Sequence, residues 1–117
     1  MTFDDERLKE IVLRKDTDYM WAFNQITDEN VLKELALCDD EQISIMAVNS
    51  ISNQEILAEI ALSDAHPVIK LYALGNIGDD DFFEEISGIV DDDFVRENID
   101  EVRFERGFKK IHVMGLS

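Results

Sequence analysis

The stretch Ala22–Ala36, AFNQITDENVLKELA, returns as Ala47–Ala61, AVNSISNQEILAEIA, and again as Ala73–Ser87, ALGNIGDDDFFEEIS. The first step along the chain is 25 residues and the second is 26. Laid over one another, the copies match at Ile26, Ile51 and Ile77, at Leu32, Leu57 and Phe83, at Leu35, Ile60 and Ile86, and at Ala36, Ala61 and Ser87. Further on, Ile43, Val68 and Phe94 coincide. A partial copy comes first: Leu8-Lys9-Glu10-Ile11 is repeated 24 residues later as Leu32-Lys33-Glu34-Leu35. So many coincidences at one period mark a repeat protein.

Within each copy the apolar spacing is helical. Val31, Leu32, Leu35 and Ala36 form one stripe, as do Ile56, Leu57, Ile60 and Ala61. Ile43, Ala47 and Ile51 stand four apart, echoed by Ile69, Ala73 and Ile77. Helix-start residues punctuate these stripes. Ser52-Asn53-Gln54-Glu55 fits a capping box, Thr27-Asp28 and Gly78-Asp79 fill the equivalent turns, and Asp39, Asp64 and Asp91 precede the second helix of each pair. Pro67 suits a first turn, where its missing N–H costs little. No segment alternates with a period of two, so the chain reads as all-α. Helices are expected over 5–14, 18–26, 28–37, 41–51, 53–62, 66–77, 80–89 and 92–103. Tyr19 to Phe23, Ile45 to Val48 and Leu71 to Leu74 are apolar around most of a turn. The helices that hold them are therefore expected to form a buried inner layer, with the more acidic helices outside.

Charge narrows the function classes. The chain has 117 residues, 27 acidic against 11 basic, for a formal charge of −16. Such a surface repels phosphate backbones and anionic membranes, so neither nucleic acid nor a lipid surface is an expected partner. The hydrophobic share of 45% is that of a globular domain rather than a disordered chain. The charge is unevenly placed: residues 1–15 sum to zero, residues 99–117 to +1, and residues 16–98 to −17. One cysteine, Cys38, in the apolar run Leu35-Ala36-Leu37-Cys38, permits no internal disulfide and reads as a small buried hydrophobe. The start carries no basic and apolar leader, and the longest apolar run, Tyr19 to Phe23, is far too short for a bilayer. A cytoplasmic location is the expectation.

The stretch Asp64–Asp79, DAHPVIKLYALGNIGD, resembles the second helix of the short HEAT-like repeats found in phycobilisome-lyase-like solenoids. It has the Asp-x-x-Pro turn, a Val followed closely by a basic residue (Lys70), a small Ala at the closest helix contact, and Leu-Gly-x-Ile-Gly-Asp. Val95-Arg96 restores the Val-basic pair, whereas Ser44 stands there in the earlier copy. The resemblance covers residues 5–102 and implies a right-handed α-solenoid of about four helical-hairpin repeats of about 25 residues. Its single domain, 1–117, would divide into units near 5–26, 27–51, 52–77 and 78–103, with a C-terminal cap over 104–117. It also implies a surface presented to a protein partner.

Several features are candidates for function. Glu34, Glu59 and Glu85 share one repeat position, extended by Glu10. This row is either a solvated face or a surface that steers a basic partner. Asn24, Asn49 and Gly75 coincide, as do Gln25, Ser50 and Asn76. These polar rows either satisfy helix ends or hydrogen-bond an extended peptide. Trp21 and Tyr72 are core residues or exposed anchors of a groove. The triplets Asp79-Asp80-Asp81 and Asp91-Asp92-Asp93 lack the alternation of a calcium loop and read as helix caps. The basic, apolar segment 104–115 is either a cap on the last unit or a self-association element, giving a monomer or a weakly associating chain. His66 and His112 have no catalytic partner in a recognisable motif, and no phosphate-cradling or nucleophile motif is present. The expectation is a non-catalytic protein-binding module without metal or cofactor, engaging a basic partner through Glu34, Glu59, Glu85, Asn24, Asn49, Asn76, Trp21 and Tyr72. An acidic inhibitor of a nuclease or other basic effector, a bilin-lyase-like cofactor handler, and a regulatory fragment of a larger assembly are the alternatives.

Overall fold

In a computed structural model, which describes residues 4–113 and their side chains as far as 107, the chain forms Asp5–Leu13 (α1), Tyr19–Gln25 (α2), Glu29–Ala36 (α3), Glu41–Ser50 (α4), Gln54–Ala61 (α5), Pro67–Asn76 (α6), Asp80–Ile89 (α7) and Asp93–Val113 (α8). No strand occurs among the described residues, and the protein is all-α. Seven helices begin and end within two residues of the spans read from the apolar period.

The eighth does not. Its expected end at 103 is overtaken, and the helix runs to Val113. Nothing between Val102 and Arg106 breaks a helix, and Gly107 costs only about 1 kcal/mol relative to alanine. The expected cap segment is thus a continuation of α8 for its first ten residues. The remainder of that segment, 114–117, and the side chains of Lys109, Lys110 and His112 lie outside the described residues.

Each helix of two or three turns is marginal alone, so capping and burial must supply its stability. Asp4, Asp28, Asn53 and Asp79 cap α1, α3, α5 and α7, each accepting a first-turn N–H through its side chain. Asp40, His66 and Asp92 do the same for α4, α6 and α8. These caps correct the expected ones by one or two residues. Asp40 replaces Asp39, His66 replaces Asp64, Asp92 replaces Asp91, and Asn53 rather than Ser52 starts α5. Asn53 Oδ1 accepts from the N–H groups of Glu55 and Ile56, while the Ser52 hydroxyl donates to Glu29 at 2.8 Å.

Packing follows the repeat. α1 lies against α2, α3 against α4 and α5 against α6; α1, α3 and α5 touch in series, as do α4, α6 and α8, and α7 rests on α6. The arrangement is elongated, 47 × 35 × 22 Å, with a radius of gyration of 15.4 Å against about 13 Å for a compact chain of this length. Leu8, Leu32, Leu57 and Phe83, at one repeat position, are all buried. So are Leu35, Ile60 and Ile86. Each such side chain contributes about 1.5–3 kcal/mol on removal from water. One alignment shifts: the buried partners of Ile43 are Ile69 and Val95, while Val68 is half-buried and Phe94 exposed. The repeat is therefore 26 residues at that edge in both steps, because α6 starts one residue later within its copy than α4 does.

The expected layering is also corrected. α5 buries five of its eight residues, whereas α6 buries three of ten and α2 two of seven. Every helix has neighbours on only some sides, and exposed Met20 and Trp21 on α2 and Tyr72 on α6 lie on the free sides of those helices. Trp21 is 50% and Tyr72 40% exposed.

Candidate functional site

The glutamate row lies on the odd-numbered helices and is partly neutralised by the chain itself. Lys9 Nζ is 2.6 Å from Glu34 Oε2 and 2.8 Å from Glu6 Oε2. These two carboxylates, Glu34 first, hold its ammonium well above the usual lysine range. Lys33, the repeat counterpart of Lys9, bridges to Glu59 in the same way. The third rung differs because Ala58 occupies the position of Lys33, and Glu85 is exposed. The first two rungs are thus side-by-side ion pairs between neighbouring helices, weak singly but offset in charge.

A second polar series carries more of the architecture. The residue after each odd-helix cap is an acceptor: Asp5, Glu29, Gln54 and Asp80. Asp5 Oδ2 accepts from the N–H groups of Thr27 and Asp28 at 3.2 and 2.7 Å. Glu29 Oε1 accepts from Ser52 and Asn53 N–H at 2.7 and 2.8 Å. Gln54 Oε1 accepts from Gly78 N–H at 2.6 Å. Each side chain therefore ties its own helix to the loop that opens the next odd helix. Asp80, at the last of these positions, is met by Arg106 of α8, Nη2 to Oδ1 at 2.9 Å. Arg106 also donates to the carbonyls of Gly75 and Ile77 at the end of α6, and its guanidinium lies 4.2 Å from the centre of the Phe83 ring.

The Glu29 tie is pH-dependent. Backbone donation from Asn53, then the Ser52 hydroxyl and N–H, hold its carboxyl below the usual range. A lowered folded pKa gives stability that is complete above the unfolded value of about 4.3 and is lost as pH falls through the folded value. Glu29→Gln turns an amide NH₂ toward these donors and is expected to cost about 1–2 kcal/mol at neutral pH. Thermal melts over a pH series should show the gap to wild type closing below about pH 4. A gap that stays constant on acidification would show that the carboxylate is not what the loop binds.

On the opposite side, the even-numbered helices carry Trp21, Met46, Tyr72 and Asn98 at one repeat position and Asn24, Asn49, Gly75 and Glu101 at another. Asn76 Nδ2 donates to Asn49 Oδ1 at 2.8 Å and to Val48 O at 3.3 Å, linking α6 to α4. Asn49, Tyr72 and Asn76 then border an open cleft of about 410 Å³ between α4, α6 and α8. Val68, Leu71, Gly75 and Val102 complete its apolar lining, with Glu101, Glu105 and Arg106 on the α8 side. Of the eight expected binding residues, the cleft brings together these three. Trp21 lines a separate hollow with Ile11, Asp16 and Asp18, and Asn24 is exposed on α2. Glu34, Glu59 and Glu85 are on the other helices. Glu101 and Glu105 were not expected. Glu101 was legible as the fourth member of the Asn24 row, 26 residues beyond Gly75.

The remaining candidates have structural partners. Asp79 and Asp92 are caps, Asp80 meets Arg106, Asp92 also pairs with Lys70 at 3.4 Å, and Asp91 pairs with Arg96 at 3.3 Å. Among the described residues no group of three or more His, Cys, Asp or Glu is placed to hold a metal ion. Cys38 is half-buried, and burial pushes its thiol up, away from nucleophilic thiolate. No helix among the described residues is long and apolar enough to cross a membrane. Comparison of the chain with protein-family models, with curated proteins and with solved structures finds no match in any of the three.

Proposed function

We propose that this chain is a small HEAT-like α-solenoid of four helical hairpins that acts as a non-catalytic binding module for a basic protein partner, through its even-numbered helices. The solenoid reading is supported by the serial contacts among odd helices and by ties recurring at 24, 25 and 26 residues, Asp5 to Glu29 to Gln54 to Asp80. One observation carries the choice of face. Exposed Trp21 and Tyr72 lie on the even helices, whereas Glu34 and Glu59 of the acidic row are engaged by Lys9 and Lys33. Large aromatics held on a rigid surface are the residues that contribute most to protein interfaces. Net charge supplies long-range attraction for a basic partner, and the aromatic face supplies the contact.

Quantitative affinity capture from extracts of the source cell tests this, using the tagged full chain and two variants checked for native thermal melts. Trp21→Ala/Tyr72→Ala should lose the captured partner, while Glu34→Gln/Glu59→Gln/Glu85→Gln should keep most of it. Equal recovery by wild type and the aromatic variant would overturn the choice of face. A captured nuclease would place the module among inhibitors of basic effectors rather than adaptors.

A further inference from the structure

We infer that the cleft between α4, α6 and α8 takes an extended peptide segment of the partner, with an apolar side chain seated beside Tyr72 and an adjacent lysine or arginine held by Glu101 and Glu105. This rests on the binding-module reading and names the seat and its chemistry. The volume, about 410 Å³, is that of a pocket for a small ligand or for two or three side chains. Its apolar lining includes Val68 and Leu71, and Tyr72, 40% exposed, lines it beside them.

The charge decides the occupant. Glu101 and Glu105 are one turn apart on α8, so their carboxylates rise from the same side of the helix. Both are exposed, and neither makes an ion pair among the described residues, unlike Glu34, Glu59 and Glu84. Among the described residues the cleft wall has one cation, Arg106, which is committed to Asp80 and to the carbonyls at the end of α6. The charge open to a ligand is therefore negative. Beside it, Asn76 uses its amide nitrogen on Asn49 and Val48. That leaves the oxygen of Asn76 as an acceptor and the nitrogen of Asn49 as a donor. One peptide unit, with one N–H and one C=O, matches that pair. A lysine or arginine stem also lies well against an aromatic face.

The experiment is an amide NMR titration of the full chain with short capped peptides of equal length that carry a central Leu-Lys, Leu-Gln, Leu-Glu or Ala-Lys pair. Leu-Lys should bind tightest and shift the amides around Tyr72, Asn76 and Glu101. Leu-Gln should be about threefold to tenfold weaker at low salt, with the difference shrinking as salt is added. Glu101→Gln/Glu105→Gln should erase the Lys-over-Gln preference and keep Leu over Ala, and Tyr72→Ala should do the reverse. Leu-Gln or Leu-Glu binding as tightly as Leu-Lys, or a lysine preference that survives the double glutamine variant, would overturn the assignment. Binding of no peptide, together with partner capture that still depends on Trp21 and Tyr72, would sink the cleft and leave the module reading standing. Peptide binding as expected, with capture indifferent to those aromatics, would do the opposite.

Discussion

Arg106→Ala is expected to lower the unfolding free energy by about 2–4 kcal/mol, a large effect for a single polar substitution. The side chain is only 14% exposed and joins three parts of the molecule: the end of α6, the first turn of α7 and the Phe83 ring. Its removal leaves the Gly75 and Ile77 carbonyls without their side-chain donor and deprives Asp80 of this cation. It also takes the guanidinium off the aromatic face. Burial pushes the pKa of this guanidinium down, but an arginine starts so high that it stays charged at any working pH. Urea titration of the variant against wild type measures the loss. Arg106→Lys should recover little of it, because a compact ammonium cannot span both carbonyls and a carboxylate while stacking on a ring. Full rescue by lysine would show that charge alone, not the planar fork, is what α8 contributes.

Leu57→Ala is expected to be at least as damaging, at about 3–5 kcal/mol, and Leu8→Ala clearly milder, at about 2–3 kcal/mol. The two leucines share a repeat position and are both buried, so the same atoms are deleted from each. Their surroundings differ. Leu57 is wholly buried in α5, which packs on α3 and α6 and is tied through Gln54 to the loop that opens α7, so little of the hole can collapse. Leu8 is in α1, with α2 and α3 beside it and no earlier helix among the described residues. A site with one open side relaxes more completely, and relaxation lowers the cavity cost. Chemical denaturation of both variants reads the difference directly. Equal losses at the two positions would mean that end and middle helices are equally confined.

The helices were legible because each apolar stripe is repeated, and three noisy copies locate a boundary better than one. Cap identity was not. Asp39 and Asp40, or Asp91 and Asp92, are equivalent by composition, and only the packed helix selects which carboxylate faces the first-turn amides. The run of α8 past 103 was hidden for a related reason, since Arg106 finds its partners 26 to 31 residues away. The ion pairs of the glutamate row were half visible: the recurrence of Leu-Lys-Glu placed a lysine beside each of the first two carboxylates, and Ala58 showed where the pattern lapses. That Lys9 and Lys33 reach Glu34 and Glu59 of the following odd helix, rather than the glutamates next to them in sequence, depends on helix offset, which no single strand of text contains. The cleft was the least legible feature. Asn49, Tyr72 and Asn76 stand out individually in the sequence, but Glu101 and Glu105 lie in a segment whose near-neutral sum conceals that its arginines are engaged elsewhere.

The ties made by Asp5, Glu29 and Gln54 also restrict how this sequence can drift. Each meets backbone N–H groups, which are donors in every residue but proline, so the side chain must offer a lone pair. A lysine or arginine there would set donor against donor, and an alanine would leave the loop amides to water. Asp, Glu, Asn and Gln offer such an oxygen on a stem that reaches the loop, and Asp80 is under the matching demand from Arg106. The helix caps Asp4, Asp28, Asn53 and Asp79 are drawn from nearly the same short menu. An acidic isoelectric point, near 4.2 here, is thus partly a by-product of joining one hairpin to the next. Mutation can neutralise these sites to amides, but it cannot carry them across to positive charge while the joints remain intact.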